Sequence, residues 1–156
     1  MAIEIDVLLD TNILLRTAFD QPSQPTDESK ASIELRRRGY SVGTTVGNLA
    51  EFSCVATRPI AANGLGLTVA EAQRRIKVFE DHLAIFSESL ESYDLWKQLV
   101  TLYNVQGKSV HDARIAAIML DSQIPAILTR NTSDFTRFPE ITVLHPDQVL
   151  AKRRME

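Results

Sequence analysis

The sequence predicts an α/β fold in which a central parallel sheet of about four to five strands is packed between helices, and three observations carry this. The apolar run at residues 5–9, broken only by Asp6, is too short for a free-standing helix and suits a strand covered on both faces, as in a parallel sheet. Short strand-like runs then alternate with helical patterns to the end of the chain. No internal repeat is visible, and 156 residues fit one domain, taken here as residues 1–156, that buries roughly two thirds of its unfolded surface.

With 44% hydrophobic and 24% charged residues, the composition excludes a largely disordered chain. No apolar run approaches the roughly 18 residues of a membrane span, and the N-terminus lacks a basic segment followed by an apolar core. A cytoplasmic location without membrane contact is therefore expected. Cys54 is the single cysteine, which rules out an intrachain disulfide and a cysteine-based metal cluster. It sits in an apolar helical pattern and is expected to be a small core residue. The net charge of -3 argues against a protein that coats nucleic acid nonspecifically, though a local basic surface around an acidic pocket stays open.

In chain order, the first strand runs into a polar group, Asp10, Thr11 and Asn12, and a short helix. After a Pro-containing loop at residues 20–26, Thr26 or Asp27 caps a helix reaching about Arg38 and stopped by Gly39. The basic run Arg36, Arg37 and Arg38 suits the negative end of that helix. Residues 40–44 read as a second strand, with Thr44 or Thr45 capping the next helix. On it, Leu49, Phe52 and Val55 or Ala56 share one face, and Glu51 lies off that face.

Arg58 and Pro59 end this helix, and residues 63–66 form a turn. Thr68 and Glu71 make a capping box for a helix through about His82. The next helix begins near Ser92, packs through Leu95, Leu99, Leu102 and Tyr103 with Trp96 adjacent, and is closed by Gly107. Another opens at Ser109, with Asp112 suited to a capping box and an apolar face of Ile115, Ala116, Met119 and Leu120. Residues 124–129 are a third strand, followed by a polar loop through Asp134. Residues 141–144 are a fourth, and the tail from Pro146 is a short helix ending in basic residues.

Each acidic residue of interest has an ordinary explanation. Asp10 can cap the helix that follows it, Asp112 can serve its own capping box, Glu51 can be a solvated helix charge, and Asp134 can stabilise a turn. Yet Asp10 and Asp134 follow strands and Asp112 begins a helix packed on them, so the three can open onto one sheet edge, where open α/β sheets place their ligands. Clustered carboxylates raise one another's pKa unless a cation neutralises them. Oxygen ligands without a cysteine or histidine pair select Mg²⁺ or Mn²⁺ rather than Zn²⁺, and such a site suits phosphodiester hydrolysis.

The motifs LLDTNILLR with Asp10, NLAEF with Glu51, HDARIAA with Asp112 and LTRNTSDF with Asp134 resemble, in order, those of PIN-domain ribonucleases of the VapC toxin class. The segment ATRPIAANGLGLT, residues 56–68, resembles a connector of that class, and the similarity spans nearly the whole chain. The resemblance implies a PIN-like three-layer α/β/α sandwich and a Mg²⁺- or Mn²⁺-dependent endoribonuclease with Asp10, Glu51, Asp112 and Asp134 as the catalytic, metal-binding pocket. Asp10 and Asp112 are the implied direct ligands, with Glu51 as ligand or as the group orienting water. Thr11, Asn12, Thr129 and Asn131 match supporting polar positions. Where this chain has Asn131 an acidic residue is common, so the fourth position falls to Asn131 or Asp134.

The resemblance further implies a homodimer and a small antitoxin that inserts a segment, often with an arginine, into the pocket. Arg16, Arg58 and Arg130, together with Arg74, Arg75 and Arg137, are candidate contacts to RNA phosphates. His111, beside Asp112, reads as structural. Two other functions compete. One is a phosphatase or phosphotransferase with Asp10 as nucleophile, although position 12 is Asn where that chemistry resembles an Asp-x-Asp pair. The other is a catalytically silent module that binds RNA or protein, against which the intact set of four acids speaks.

Overall fold

A computed structural model describes residues 4–155; the first three residues and Glu156, which the single-domain expectation also covers, lie outside the described residues. Five short strands form one sheet: β1 (Val7–Leu9), β2 (Val42–Thr45), β3 (Ala84–Phe86), β4 (Ala126–Leu128) and β5 (Thr142–Leu144). All pairings are parallel, in the order β3-β2-β1-β4-β5. The connections are helical: α1 (Thr11–Thr17), α2 (Asp27–Arg37), α3 (Val46–Thr57), α4 (Val69–His82), α5 (Leu90–Leu102) and α6 (Ser109–Asp121), with α7 (Pro146–Met155) at the end.

β1 holds the centre, and its side chains alternate between the two faces of the sheet. Val7 and Leu9 join a core with Ile13 and Leu14 of α1, Leu35 of α2, Phe52 of α3, Ala72 of α4 and Val149 of α7. Leu8 points the other way, into a core with Leu99 of α5 and Ala116 and Met119 of α6. This period of two, repeated in β4 by Leu128 and Ile127, makes the three-layer sandwich that the sequence predicts. The chain builds β2 and β3 on one side of β1 and then crosses to β4 and β5. The carboxyl ends of β1 and β4 therefore flank a crevice at the point where strand order reverses.

Local signals explain most boundaries. Thr26 caps α2 by accepting from Ser29 N, Thr45 caps α3 by accepting from Asn48 N, and Thr68 and Glu71 form the expected reciprocal box on α4. Gly39 takes φ +93° just beyond α2, where a side chain would be strained.

Several expectations need correction. The sequence marks no strand between His82 and Ser92, where β3 lies: it is three residues long, at the sheet edge, and only half-covered, so it carries little apolar pattern. α5 starts at Leu90 on a Ser89 cap rather than near Ser92, and it ends at Leu102, with Asn104 in the left-handed region; Gly107 lies in the loop beyond. Leu102 is exposed rather than packed, and so is Cys54, which lies on the side of α3 opposite the buried stripe of Leu49, Phe52 and Ala56.

Candidate active site

Asp10 is the first residue beyond β1, and its two carboxylate oxygens meet different partners. Its Oδ1 accepts from Thr11 N at 2.9 Å, capping α1. Its Oδ2 accepts from the Thr129 hydroxyl at 2.8 Å and from Asn12 Nδ2 at 3.1 Å. Thr129 follows β4 and is fully buried. Having given its proton to Asp10, its oxygen accepts from Asn12 Nδ2 and from Asn131 N, each at 3.1 Å, which exhausts a hydroxyl's capacity. Asn12 Oδ1 in turn accepts from Arg130 N at 2.9 Å. The polar triplet after β1 is thus stitched to the loop after β4.

On the other side, the Thr11 hydroxyl lies 2.9 Å from both Glu51 Oε2 and Asn48 Oδ1, with one proton to offer them. Asn48 is buried, and its Nδ2 reaches Leu9 O at 3.4 Å. Sequence reasoning missed Asn48, although it stands three residues before Glu51, one helical turn away on α3. A buried amide beside Thr11 joins α3 to the end of β1.

Asp112 enters from the opposite layer, in the first turn of α6. The capping box expected there does not form: Lys108 occupies the cap position in helical conformation, with no side-chain cap bond. The Asp112 carboxylate takes no hydrogen bond or ion pair from any described residue. Asp134 closes a 3-10 turn, Thr132–Asp134, in the loop that also carries Asn131. The structure thus brings all four acids together. With Thr11, Asn12, Asn48 and Asn131 they line one open cleft of about 580 Å³, and Thr129 stands behind Asp10.

The electrostatics follow from this crowding. Burial, reinforced by Asp134, Asp10 and Glu51, pushes the Asp112 carboxyl up from 3.8 to about 6, against a smaller opposing pull from Arg137. Burial also raises Asp10, against the hydrogen bonds from Thr129 and Thr11, and Glu51 and Asp134 act in the same upward direction. Among the described residues, no three His, Cys, Asp or Glu side chains converge into a ready-made metal cage. The donor set nonetheless fits Mg²⁺ or Mn²⁺. Such ions are held through one or two carboxylates while keeping waters, and a divalent charge relieves the repulsion that raises Asp112.

A family model, the PIN domain, matches residues 7–141. The chain belongs to the PIN domain family. No curated protein matches it by sequence. Among solved structures, a chain of VapBC2 from Rickettsia felis, bound to a promoter DNA fragment, has a TM-score of 0.69 at 18% identity, covering 90% of this PIN domain and 98% of that chain. A toxin-antitoxin complex from Klebsiella pneumoniae gives 0.63 at 20% identity, with 90% and 98% covered. FitAcB from Neisseria gonorrhoeae gives 0.61 at 21%, with 90% and 97% covered. At these identities the likeness is one of fold.

Within this PIN domain four of the arginines proposed as phosphate contacts, Arg16, Arg58, Arg75 and Arg130, have other neighbours, while Arg137 acts electrostatically on Asp112. Arg130 Nη1 donates to the buried Glu28 of α2, and Arg16 Nε lies 4.0 Å from the same carboxylate. Arg58 stands at the end of α3 with Nη2 3.6 Å from Cys54 Sγ, and Arg75 Nη2 reaches Ala18 O at 3.4 Å. None of these lines the cleft, whose basic side chains among the described residues are Lys108, His111 and Arg114.

Proposed function

We propose that this PIN domain is a metal-dependent endoribonuclease, the toxin of a toxin-antitoxin pair. One observation carries the reading: Asp10, Glu51, Asp112 and Asp134, from four segments up to 124 positions apart, open into a single cleft at the sheet's crossover point. Water-soluble folds avoid such a cluster of like charges unless it has work to do.

In this reading Asp10 and Asp112 hold Mg²⁺ or Mn²⁺, with Glu51 and Asp134 as further ligands or as acceptors for bound waters. An ion bound there would supply a lowered pKa for the attacking water and neutralisation of charge on the phosphate. The chain supplies the rest. Thr129 and Asn12 fix Oδ2 of Asp10, and Thr11 fixes Glu51, so these carboxylates keep their orientation without substrate. Asp112 must lose its proton before it can bind a cation. Asn131, whose backbone N is tied to Thr129, stands in the position where an acidic residue is common.

The fold likeness to VapBC2 and to a toxin-antitoxin complex supports an antitoxin partner, and we extend the reading to a homodimer acting in the cytoplasm. Among the described residues no helix is long and apolar enough to cross a membrane. An aspartyl-phosphate mechanism is disfavoured because position 12 is Asn and not a second Asp, and its amide donates to Asp10 Oδ2.

The test is cleavage of a mixed single-stranded RNA with Mg²⁺ or Mn²⁺, with excess chelator, and with Asp10→Asn. Cleavage that needs the ion and vanishes in the variant is expected. Undiminished cleavage by Asp10→Asn, or full activity in chelator, overturns the reading.

A further inference from the structure

We propose that Arg114 is the phosphate-binding side chain of the cleft and that Glu88 holds it in reserve, so that an incoming RNA phosphate takes over from the Glu88 carboxylate. The inference rests on the nuclease reading and names how that site grips its substrate. The difficulty it answers is electrostatic. Five carboxylates line the cleft, the four of the site and Glu88, and one bound divalent cation leaves a net negative surface for a polyanion to approach. Contacts to phosphates on either side of the scissile bond must come from the protein's own cations, and none of Arg16, Arg58 and Arg130 lines the cleft.

The basic groups that do line it stand together on the N-terminal half of α6. Lys108 precedes the helix, His111 lies in its first turn, and Arg114 follows one turn later, around Asp112. Lys108 has no ion-pair partner among the described residues. Arg114 is engaged, but in a way that is easily exchanged. Its Nε, at 3.1 Å, and its Nη2 both converge on a single oxygen, Glu88 Oε1, instead of spreading over both carboxylate oxygens. Nη1 turns instead to His111 Nδ1 at 3.4 Å.

Both partners are 44% exposed at the side chain, and exposed pairs of this kind add little to stability. Glu88 comes from the loop after β3, so the pair bridges that loop and α6 and both residues line the cleft. A phosphate offers several oxygens to the same guanidinium edge and accepts it as a two-point contact, which a carboxylate used through one oxygen does not. Glu88 then acts as a competitor for Arg114: it keeps the guanidinium ordered without RNA and leaves it when phosphate arrives.

The two residues should therefore act in opposite directions, which a loss of folding cannot imitate. The measurement is fluorescence anisotropy of a labelled single-stranded RNA 12-mer binding to the cleavage-silenced Asp10→Asn protein in Mg²⁺ buffer, over a range of salt. Arg114→Ala is expected to raise Kd about fivefold or more and to reduce the slope of log affinity against log salt by about one. Glu88→Gln is expected to lower Kd, and Lys77→Ala on the distant α4 to change neither quantity. The proposal is overturned if Arg114→Ala leaves both Kd and slope unchanged, or if Glu88→Gln weakens binding. If the first of these occurs while the wild type still cleaves RNA with Mn²⁺, the grip assigned to Arg114 fails and the nuclease reading stands. If the protein neither binds nor cleaves RNA, both fall.

Discussion

The Thr129 hydroxyl donates to Asp10 Oδ2 at 2.8 Å across 119 positions of sequence, joining the ends of β1 and β4 by their side chains. That bond lowers the Asp10 pKa against the burial that raises it. Thr129 is a positioning residue: it does not line the cleft, yet it sets how readily Asp10 carries charge there.

Replacing Thr129 by Val keeps its shape and removes the hydroxyl. Asp10 Oδ2, Asn12 Nδ2 and Asn131 N each lose a partner, and with Asp10 buried the fold is destabilised by about 1–3 kcal/mol. Supporting residues of this kind shift metal affinity or activity by roughly 10- to 100-fold. Without its donor, Asp10 holds its proton more tightly, so the rising limb of the pH–rate profile moves to higher pH, while Thr129→Ser restores it. A profile unmoved by Thr129→Val contradicts this role.

Asp112 makes a prediction of unusual sign. Between 3.8 and about 6 the folded protein keeps a proton on Asp112 that the unfolded chain has released. Stability of the metal-free protein therefore falls as pH rises through this window. Asp20 and Glu34 behave oppositely. At Asp20, donors from Ser29 and Thr26 outweigh burial; at Glu34, Arg37 and then Arg38 hold the carboxyl at about 2; their contributions rise with pH up to the ordinary values of 3.8 and 4.5, so the fall due to Asp112 is read above about pH 5. Asp112→Asn should stabilise the metal-free protein at about pH 7, and the gain should shrink towards about pH 5. Added Mn²⁺ should stabilise only the wild type. Denaturant titrations in chelator check this, and a destabilised variant at the higher pH contradicts it.

Arg130 was a candidate for RNA contact, but Glu28 holds it. With the carboxylate buried and the guanidinium partly exposed, breaking the pair should cost on the order of 2 kcal/mol. Arg130→Ala and Glu28→Gln should lower the denaturation midpoint similarly and leave the salt dependence of RNA binding unchanged. A reduced salt slope for Arg130→Ala, with unchanged stability, would return this residue to the substrate.

Much of this was legible beforehand, for reasons visible in particular residues. β1 and β4 are apolar runs buried on both faces, and each is followed by polar residues, so Asp10 and Asp134 could be placed at one sheet edge, whereas Thr129 came only from the family resemblance. β3 could not be seen, because Ala84, Ile85 and Phe86 form a half-covered edge that no periodic signal marks. Glu51 is an exposed position on an amphipathic helix and looks like any solvated charge; only resemblance to the family pointed to it. Asn48 could not be found by hydrophobic patterning either, since its burial depends on Thr11 and Leu9, two elements away. Asp112 was visible as a candidate but looked equally like a capping acid, a role the structure gives to no side chain on α6.

The central claim is that Asp10 and Asp112, delivered from opposite layers of the sandwich, share a divalent cation. An anomalous-scattering map from crystals soaked in Mn²⁺ tests it directly. A peak within bonding distance of both carboxylates, lost in Asp10→Asn, is expected. A cleft without a peak at saturating Mn²⁺, or a peak that touches neither residue, contradicts it.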